Sequence, residues 1–185
     1  GGAWGSVWAP LVEAVRTAGI RQVDGGLICD ESRFAGPPYG SGWSWDDLAE
    51  SYGAAVSALT AGDNAVSVIV TPGPSPGSPA GVRLDPVTEL LALESSVLTS
   101  KKGLPEDLSI FRLPGDSRLR VSGTVPLGAG PATLGASVPM PALWFGTLFQ
   151  DALRRAGVAV SGPIRVIHGG DRGDSTVWRE VGSVP

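Results

Sequence analysis

The sequence predicts a fold of the α/β class (α+β) in two parts: an α/β layer formed by the two chain ends, and an inserted β-rich, sandwich-like domain. Apolar residues recur at helical spacing near both ends of the 185-residue chain, whereas strand-type runs separated by turns fill its middle. The predicted boundaries are residues 1–53 and 138–185 for a discontinuous α/β accessory domain and residues 54–137 for the inserted domain.

The first part begins with a predicted amphipathic helix over residues 8–18, which Gly19 ends. Two short β-type runs follow at residues 20–24 and 26–30, with a glycine between them. A loop rich in glycine, proline and aromatic residues comes next. Ser44 then stands where its side chain can cap a short helix whose first turn is acidic.

Six runs in the middle of the chain are expected to be strands. Alternation of polar and apolar residues is clearest at Arg118-Leu119-Arg120-Val121-Ser122, which is typical of a half-exposed strand. Strands at this spacing, with turn-forming residues between them, predict a small β-sandwich or barrel-like unit. The six runs are residues 66–70, 81–84, 92–99, 108–113, 118–125 and 132–138.

The last part of the chain contains a short segment similar in sequence to one in the first part. A helix is predicted over residues 141–156 and a strand over residues 158–167. Residues 14–20 resemble residues 152–158, and each copy is followed by Val-x-Gly and an apolar run. Two helix-glycine-strand units at opposite chain ends are expected to share one α/β layer; chance similarity between helix ends is the alternative.

Composition and charge exclude several classes of function. The formal net charge is −4 and the chain has only two lysines, so a nucleic-acid phosphate backbone would be repelled and no nucleic-acid partner is expected. No apolar run reaches the roughly 18 residues that a membrane span requires, and no signal peptide is expected within these residues. Neither a dinucleotide-binding glycine motif nor a P-loop is present, and no cofactor is expected.

Reactive and metal-ligating residues are scarce. Cys29 is the only cysteine and His168 the only histidine, which excludes an internal disulfide and a thiolate metal cluster. We expect Cys29 to occupy a buried strand position and no metal to bind, since residues 168–174 are typical of a turn. The embedded Arg172-Gly173-Asp174 is interpreted as a chance match to a cell-adhesion tripeptide.

The most informative segment combines tryptophans with carboxylates between Gly42 and Tyr52. Its two tryptophans flank the capping serine, which predicts either an exposed interaction motif or an aromatic anchor that packs the loop onto the body. Adjacent residues on a helix point about 100° apart, so Asp46 and Asp47 are poorly placed as an acid–base pair. The predicted interaction motif comprises Gly42, Trp43, Trp45, Asp46, Asp47 and Tyr52.

Short motifs follow one another in a characteristic order along nearly the whole chain. The most specific is Gly42-Trp43-Ser44-Trp45-Asp46-Asp47. The others include Ala18-Gly19-Ile20, Asp30-Glu31-Ser32, Tyr52-Gly53-Ala54, Ser57-Ala58-Leu59, Asp63-Asn64, Arg112-Leu113-Pro114-Gly115 and Val121-Ser122-Gly123-Thr124-Val125-Pro126. This ordered set resembles the class C low-molecular-mass penicillin-binding proteins, the D-alanyl-D-alanine carboxypeptidase/endopeptidases of the DacB type.

The resemblance implies an extracytoplasmic (periplasmic or cell-envelope) serine peptidase that acts on peptidoglycan stem peptides. In that family Ser-x-x-Lys carries the nucleophile, and a long insert separates it from Ser-x-Asn and Lys-Thr-Gly. This chain contains none of the three: Leu98 and Thr99 stand three residues before the lysines, and Gly62 stands two before the only asparagine. No catalytic residue is therefore assigned to this chain.

The leading functional hypothesis is a non-catalytic accessory region of such a peptidase, with a transpeptidase-like penicillin-binding domain as its partner. It would shape the active-site cleft or contact peptidoglycan or other partners, and we expect it to be inactive alone. The alternative is a stand-alone cell-wall or protein-binding module without peptidase activity. A third hypothesis is unrelated enzyme chemistry at Asp46, Asp47 or His168.

Overall fold

The computed structural model describes residues 4–34 and 36–168, and the elements of its β-rich middle stand between those of the two chain ends. Three single-turn 3-10 helices, at Asp47–Ala49, Ser51–Gly53 and Gly62–Asn64, join the first part to the middle. The helices and strands are α1 (Trp4–Thr17), β1 (Gln22–Val23), β2 (Leu27–Asp30), β3 (Ala65–Thr71), β4 (Gly81–Asp85), β5 (Ala92–Ser95), β6 (Leu98–Ser100), β7 (Asp107–Phe111), β8 (Arg118–Pro126), β9 (Ala132–Ser137), α2 (Pro141–Arg155), β10 (Ala159–Val160) and β11 (Ile164–Ile167).

Two parallel strand pairs join the beginning of the chain to its end. Strand β1 pairs with β10 and β2 pairs with β11, and the second pair is in register from Leu27 opposite Ile164. Helices α1 and α2 pack together through Trp8, whose ring lies 4.9 Å from that of Phe145 and 5.7 Å from that of Phe149. The expected α/β layer is therefore present, and the α/β (α+β) fold class is confirmed.

The two similar segments, residues 14–20 and 152–158, form helix ends with the same backbone geometry. Gly19 and Gly157 both have positive φ, 78° and 81°, a conformation that glycine adopts without a steric penalty. Each allows the next residue to close the helix end: Ile20 N donates to Val15 O at 3.3 Å, and Val158 N donates to Leu153 O at 2.9 Å. The strands that follow the two helices are the ones that pair.

The middle of the chain forms two sheets. Strand β3 pairs antiparallel with β4 and β9, and β8 pairs with β5, β6 and β7. Alternate apolar side chains of β3 and β8 are buried in one core cluster, which extends to α1 and α2. A sandwich-like middle follows from this arrangement, while the exact boundaries at 53/54 and 137/138 stay a prediction.

Three sequence-based expectations about individual elements were wrong. The predicted strand over residues 92–99 is divided into β5 and β6, because Ser96 and Val97 leave the ladder and Val97 is buried. The predicted strand over residues 158–167 is broken at Gly162-Pro163, where proline supplies no N–H. The expected Ser44 helix is only the 3-10 turn at Asp47–Ala49, which has no side-chain cap.

The α/β layer and the β-rich middle meet at a buried junction. Trp144 of α2 is fully buried and its Nε1 donates to the carbonyl oxygen of Ala61 at 3.2 Å. Val138 N donates to Asn64 O at 2.8 Å, next to the pairing of β3 with β9. Because both bonds cross between the parts, the junction holds α2 against the start of the β-rich middle.

Cys29 lies in β2 and is buried, as expected from the sequence. Burial, and then the nearby Glu31 charge, raise the pKa of its thiol to about 11 from an ordinary value of 9.0. Since the thiolate is the reactive form, we expect alkylation by iodoacetamide at pH 8 to be about 100-fold slower in the folded chain than in the unfolded chain. Equal mass-spectrometric labelling rates with and without urea would contradict this.

Within the described residues, no helix is both long enough and apolar enough to cross a bilayer.

Candidate interaction surface

The segment of residues 42–52, called here the aromatic segment, exposes three large rings. The exposed fractions are 42% for Trp43, 58% for Trp45 and 69% for Tyr52. Trp43 lies beside Tyr39, with ring centroids 6.4 Å apart, and Trp45 makes a T-shaped contact with Phe111 at 5.7 Å. The two tryptophan rings are therefore each supported by another ring and still partly open to solvent, so they can contact a ligand.

Acidic groups lie among these rings. The Tyr52 hydroxyl donates to Asp47 Oδ1 at 2.9 Å, and this hydrogen bond raises the pKa of the Tyr52 phenol. Burial, followed by the Asp47 charge, raises the pKa of the Glu50 carboxyl. The surface thus offers apolar ring faces next to hydrogen-bond acceptors, an arrangement that suits a ligand with both apolar and donor groups.

The backbone of the aromatic segment is held from below by the β-rich middle. The carbonyl oxygen of Leu48 accepts hydrogen bonds from Ser137 Oγ at 2.5 Å and from Arg112 Nη2 at 3.1 Å. Glu50 forms an antiparallel bridge with Ala136 of β9. Gly53 follows directly after the segment, and only glycine fits there because a Cβ would lie 2.0 Å from the Asp47 carbonyl oxygen.

The predicted interaction residues therefore lie on one stretch of backbone. Gly42 has φ of 89°, and nothing lies within 4 Å of where a Cβ would be. Glycine is therefore favoured at this position by the backbone conformation and not by a close contact. Neither tryptophan is a buried anchor, whereas Trp144 is fully buried. Asp47 is engaged by Tyr52, whereas the interaction role of this whole set stays a prediction.

A second cluster, which sequence patterns did not reveal, centres on Glu31. Ser57 Oγ donates to Glu31 Oε2 at 2.9 Å, and His168 Nδ1 lies 2.7 Å from Glu31 Oε1. Two cavities of about 480 and 300 Å³ adjoin the cluster. The carboxylate stands between serine and histidine, so the imidazole is not placed to take the Ser57 proton, and this is no serine-protease triad.

No metal site accompanies this cluster, because the described part of the chain contains no group of three His, Cys, Asp or Glu side chains close enough to hold an ion. The predicted turn beyond His168 and its Arg172-Gly173-Asp174 tripeptide lie outside the described residues. The Glu31 cluster joins the end of β11 to the loop after β2. Its partners are far apart in sequence, so no local pattern could have identified it.

Comparison with known proteins matches this chain to one family over nearly its whole length. Residues 7–179 match the D-Ala-D-Ala carboxypeptidase 3 (S13) family. The chain is 32% identical over 160 residues to the D-alanyl-D-alanine carboxypeptidase of Actinomadura sp. (strain R39), a match that covers 83% of this chain and 30% of that relative. The chain therefore spans about a third of the length of the curated relative.

Solved structures of penicillin-binding protein 4 (dacB) from Haemophilus influenzae share the fold. One superposes with a TM-score of 0.70 at 19% identity, and the match covers 92% of this chain and 37% of the Haemophilus chain. A complex of the same protein with a β-lactam superposes with a TM-score of 0.59 at 16% identity. At these identities the likeness establishes the fold alone.

Proposed function

The chain belongs to the D-Ala-D-Ala carboxypeptidase 3 (S13) family, as its resemblance to DacB-type class C penicillin-binding proteins predicted, and we propose that it is the non-catalytic insert region of such a peptidase. The observation that carries the proposal is the absence of Ser-x-x-Lys, Ser-x-Asn and Lys-Thr-Gly from a chain that matches the family over nearly its whole length. Hydrolysis of peptidoglycan stem peptides would then belong to a transpeptidase-like domain that adjoins this chain.

The catalytic chemistry requires groups that this chain does not supply. In the activated-nucleophile mechanism a lysine and a second serine accept the proton of the attacking hydroxyl. The two lysines, Lys101 and Lys102, follow β6 and have no serine at the required spacing. The role of this chain is therefore accessory: it shapes access to the active-site cleft of the adjoining domain. Both would lie outside the cytoplasm, because the peptidoglycan substrate of the peptidase lies there.

Within this role, the aromatic segment is the part that contacts peptidoglycan. Its exposed rings present flat apolar faces against which sugar rings or peptide side chains can pack, and its acidic groups accept their hydrogen bonds. The buried support beneath Leu48 favours this use, because a surface that is already ordered loses little entropy when a ligand binds.

A first experiment separates the catalytic from the accessory role. The 185-residue chain is incubated with a fluorescent penicillin and analysed by intact-mass spectrometry. We expect no covalent adduct, because the acyl-forming serine motif is missing. A stable adduct with the mass of the opened penicillin would overturn the proposal.

A second experiment tests the peptidoglycan contact by sedimentation with purified sacculi. We expect Trp45→Ala to reduce retention of the chain by about 10-fold, since loss of one exposed aromatic contact costs about 1–2 kcal/mol of binding. Val87→Ala is the control, because Val87 is also an exposed apolar residue but lies in the β-rich middle. Equal retention of both variants and the unaltered chain would count against the contact.

The exposed rings equally suit a stand-alone cell-wall or protein-binding module. Such a module would show the same retention on sacculi, so the sedimentation experiment does not separate the two functions. Reading the gene on both sides of this segment does. Ser-x-x-Lys before it and Ser-x-Asn after it would support the insert role, and their absence would support the module.

A further inference from the structure

We propose that Arg112 and Ser137 form a clamp through which the β-rich middle sets the position of the aromatic segment, so that Arg112 is a positioning residue for ligand contact. The claim that Arg112 affects peptidoglycan contact rests on the proposed function. The claim that Arg112 and Ser137 hold the aromatic segment in place does not. Arg112 is only 3% exposed, yet it donates a hydrogen bond to the backbone of the segment that carries the exposed rings.

The guanidinium of Arg112 joins its own loop to two distant stretches of chain. Its Nη2 donates to Leu48 O at 3.1 Å and to Ser137 Oγ at 2.7 Å, and its Nη1 donates to Asp116 O at 3.2 Å. Ser137 Oγ in turn donates to the same Leu48 oxygen at 2.5 Å. One carbonyl of the aromatic segment is thus held by two donors, one at the end of β9 and one just after β7.

Burial of this cation is costly and is not offset by an ion pair. All four of its hydrogen bonds end on carbonyl or hydroxyl oxygens, and among the described residues it forms no salt bridge. Burial lowers the pKa of Arg112, and its Nε has no hydrogen-bond partner within the described part of the chain. An apolar side chain would fill this place at lower cost, so the guanidinium contributes specific geometry more than stability.

The clamp acts at the centre of the aromatic segment. Leu48 follows Asp47, whose carboxylate holds Tyr52, and precedes the buried Ala49. Phe111, the residue before Arg112, supports the ring of Trp45 at 5.7 Å. A shift of the chain after β7 would therefore move the carbonyl of Leu48 and the ring of Trp45 together.

Hydrogen exchange on the 185-residue chain, followed by mass spectrometry of its peptides, tests the clamp. In Arg112→Met we expect amides of residues 46–53 to exchange at least about 10-fold faster, because the charge-assisted hydrogen bond from Arg112 Nη2 to Leu48 O is lost together with the one that orients Ser137 Oγ toward the same oxygen. Peptides from α2 and β3 should keep their rates. Retention on sacculi should fall about 5-fold in the same variant, since a displaced segment presents its rings less favourably.

Two further variants make the test specific. Ser137→Ala removes only the hydroxyl and should accelerate the same amides by a smaller factor, so it replaces Arg112→Met if that variant fails to fold. Arg120→Lys is the control: Arg120 lies on β8 in the same part of the chain, is exposed, and pairs with Glu94. We expect it to leave both exchange and retention unchanged.

The outcomes separate the clamp from the proposed function. Unchanged exchange at residues 46–53, or an equal acceleration throughout the chain, would overturn the clamp. Local acceleration together with lost retention supports both ideas. Local acceleration, with retention unaffected by either Arg112→Met or Trp45→Ala, would uphold the mechanical coupling and overturn the peptidoglycan contact.

Discussion

Replacing Gly26 with alanine is expected to lower the free energy of unfolding by about 3 kcal/mol or more, combining conformational strain with a backbone collision. Gly26 has φ of 88°, and a Cβ there would lie 2.1 Å from the carbonyl oxygen of Pro163. That oxygen accepts the hydrogen bond from Leu27 N that begins the pairing of β2 with β11. The added methyl group would therefore push apart the strands that join the two chain ends.

Two matched variants divide this effect into its causes. Gly19 has φ of 78° with nothing within 4 Å of an added Cβ, so Gly19→Ala should cost only the conformational part, about 1–2 kcal/mol. At Gly162 an added Cβ would lie 2.5 Å from Gly25 C, so Gly162→Ala tests the collision. Urea unfolding followed by circular dichroism gives all three values. Equal losses in Gly19→Ala and Gly26→Ala would refute the steric argument.

Trp144→Ala is expected to lower the free energy of unfolding by about 4 kcal/mol, within the range for large buried aromatic side chains. Trp144 is the largest of the fully buried side chains, and it belongs to the core cluster shared by the helices and the β-rich middle. Its removal leaves a cavity at the junction and deletes the hydrogen bond to Ala61 O. Chemical denaturation monitored by circular dichroism measures the loss.

The control for this variant is a tryptophan in the exposed aromatic segment. Trp45→Ala should change the free energy of unfolding by no more than about 1 kcal/mol, because its ring is more than half exposed. The two variants are thus expected to have opposite profiles: Trp144→Ala loses stability, and Trp45→Ala loses retention on sacculi. A loss of stability in Trp45→Ala as large as in Trp144→Ala would mean that Trp45 is a structural anchor.

The local pattern of apolar and polar residues was sufficient to predict most helices and strands of the fold. Apolar residues at helical spacing predicted α2 almost to its ends, and alternation predicted β8, because amphipathic periodicity follows directly from the geometry of a helix or strand. The similarity between residues 14–20 and 152–158 predicted that both chain ends belong to one α/β layer, and the strands that follow the two segments do pair. Two predicted strands are interrupted: one at Gly162-Pro163, where proline supplies no N–H for a ladder, and one at Val97, whose side chain turns into the core.

Sequence alone also determined the family and the absence of the three catalytic motifs, since both depend on residue types in order and not on distances. The tertiary structure alone decided how the surface is supported: Arg112 meets Leu48 across 64 residues, and Glu31 meets Ser57 across 26. Neither contact has a local pattern, because a buried hydrogen bond depends on where packed sheets bring a donor to an acceptor. The sequence singled out the aromatic segment but left open whether its tryptophans are exposed or packed onto the body. Their exposure and the buried arginine beneath them became evident only in the folded chain.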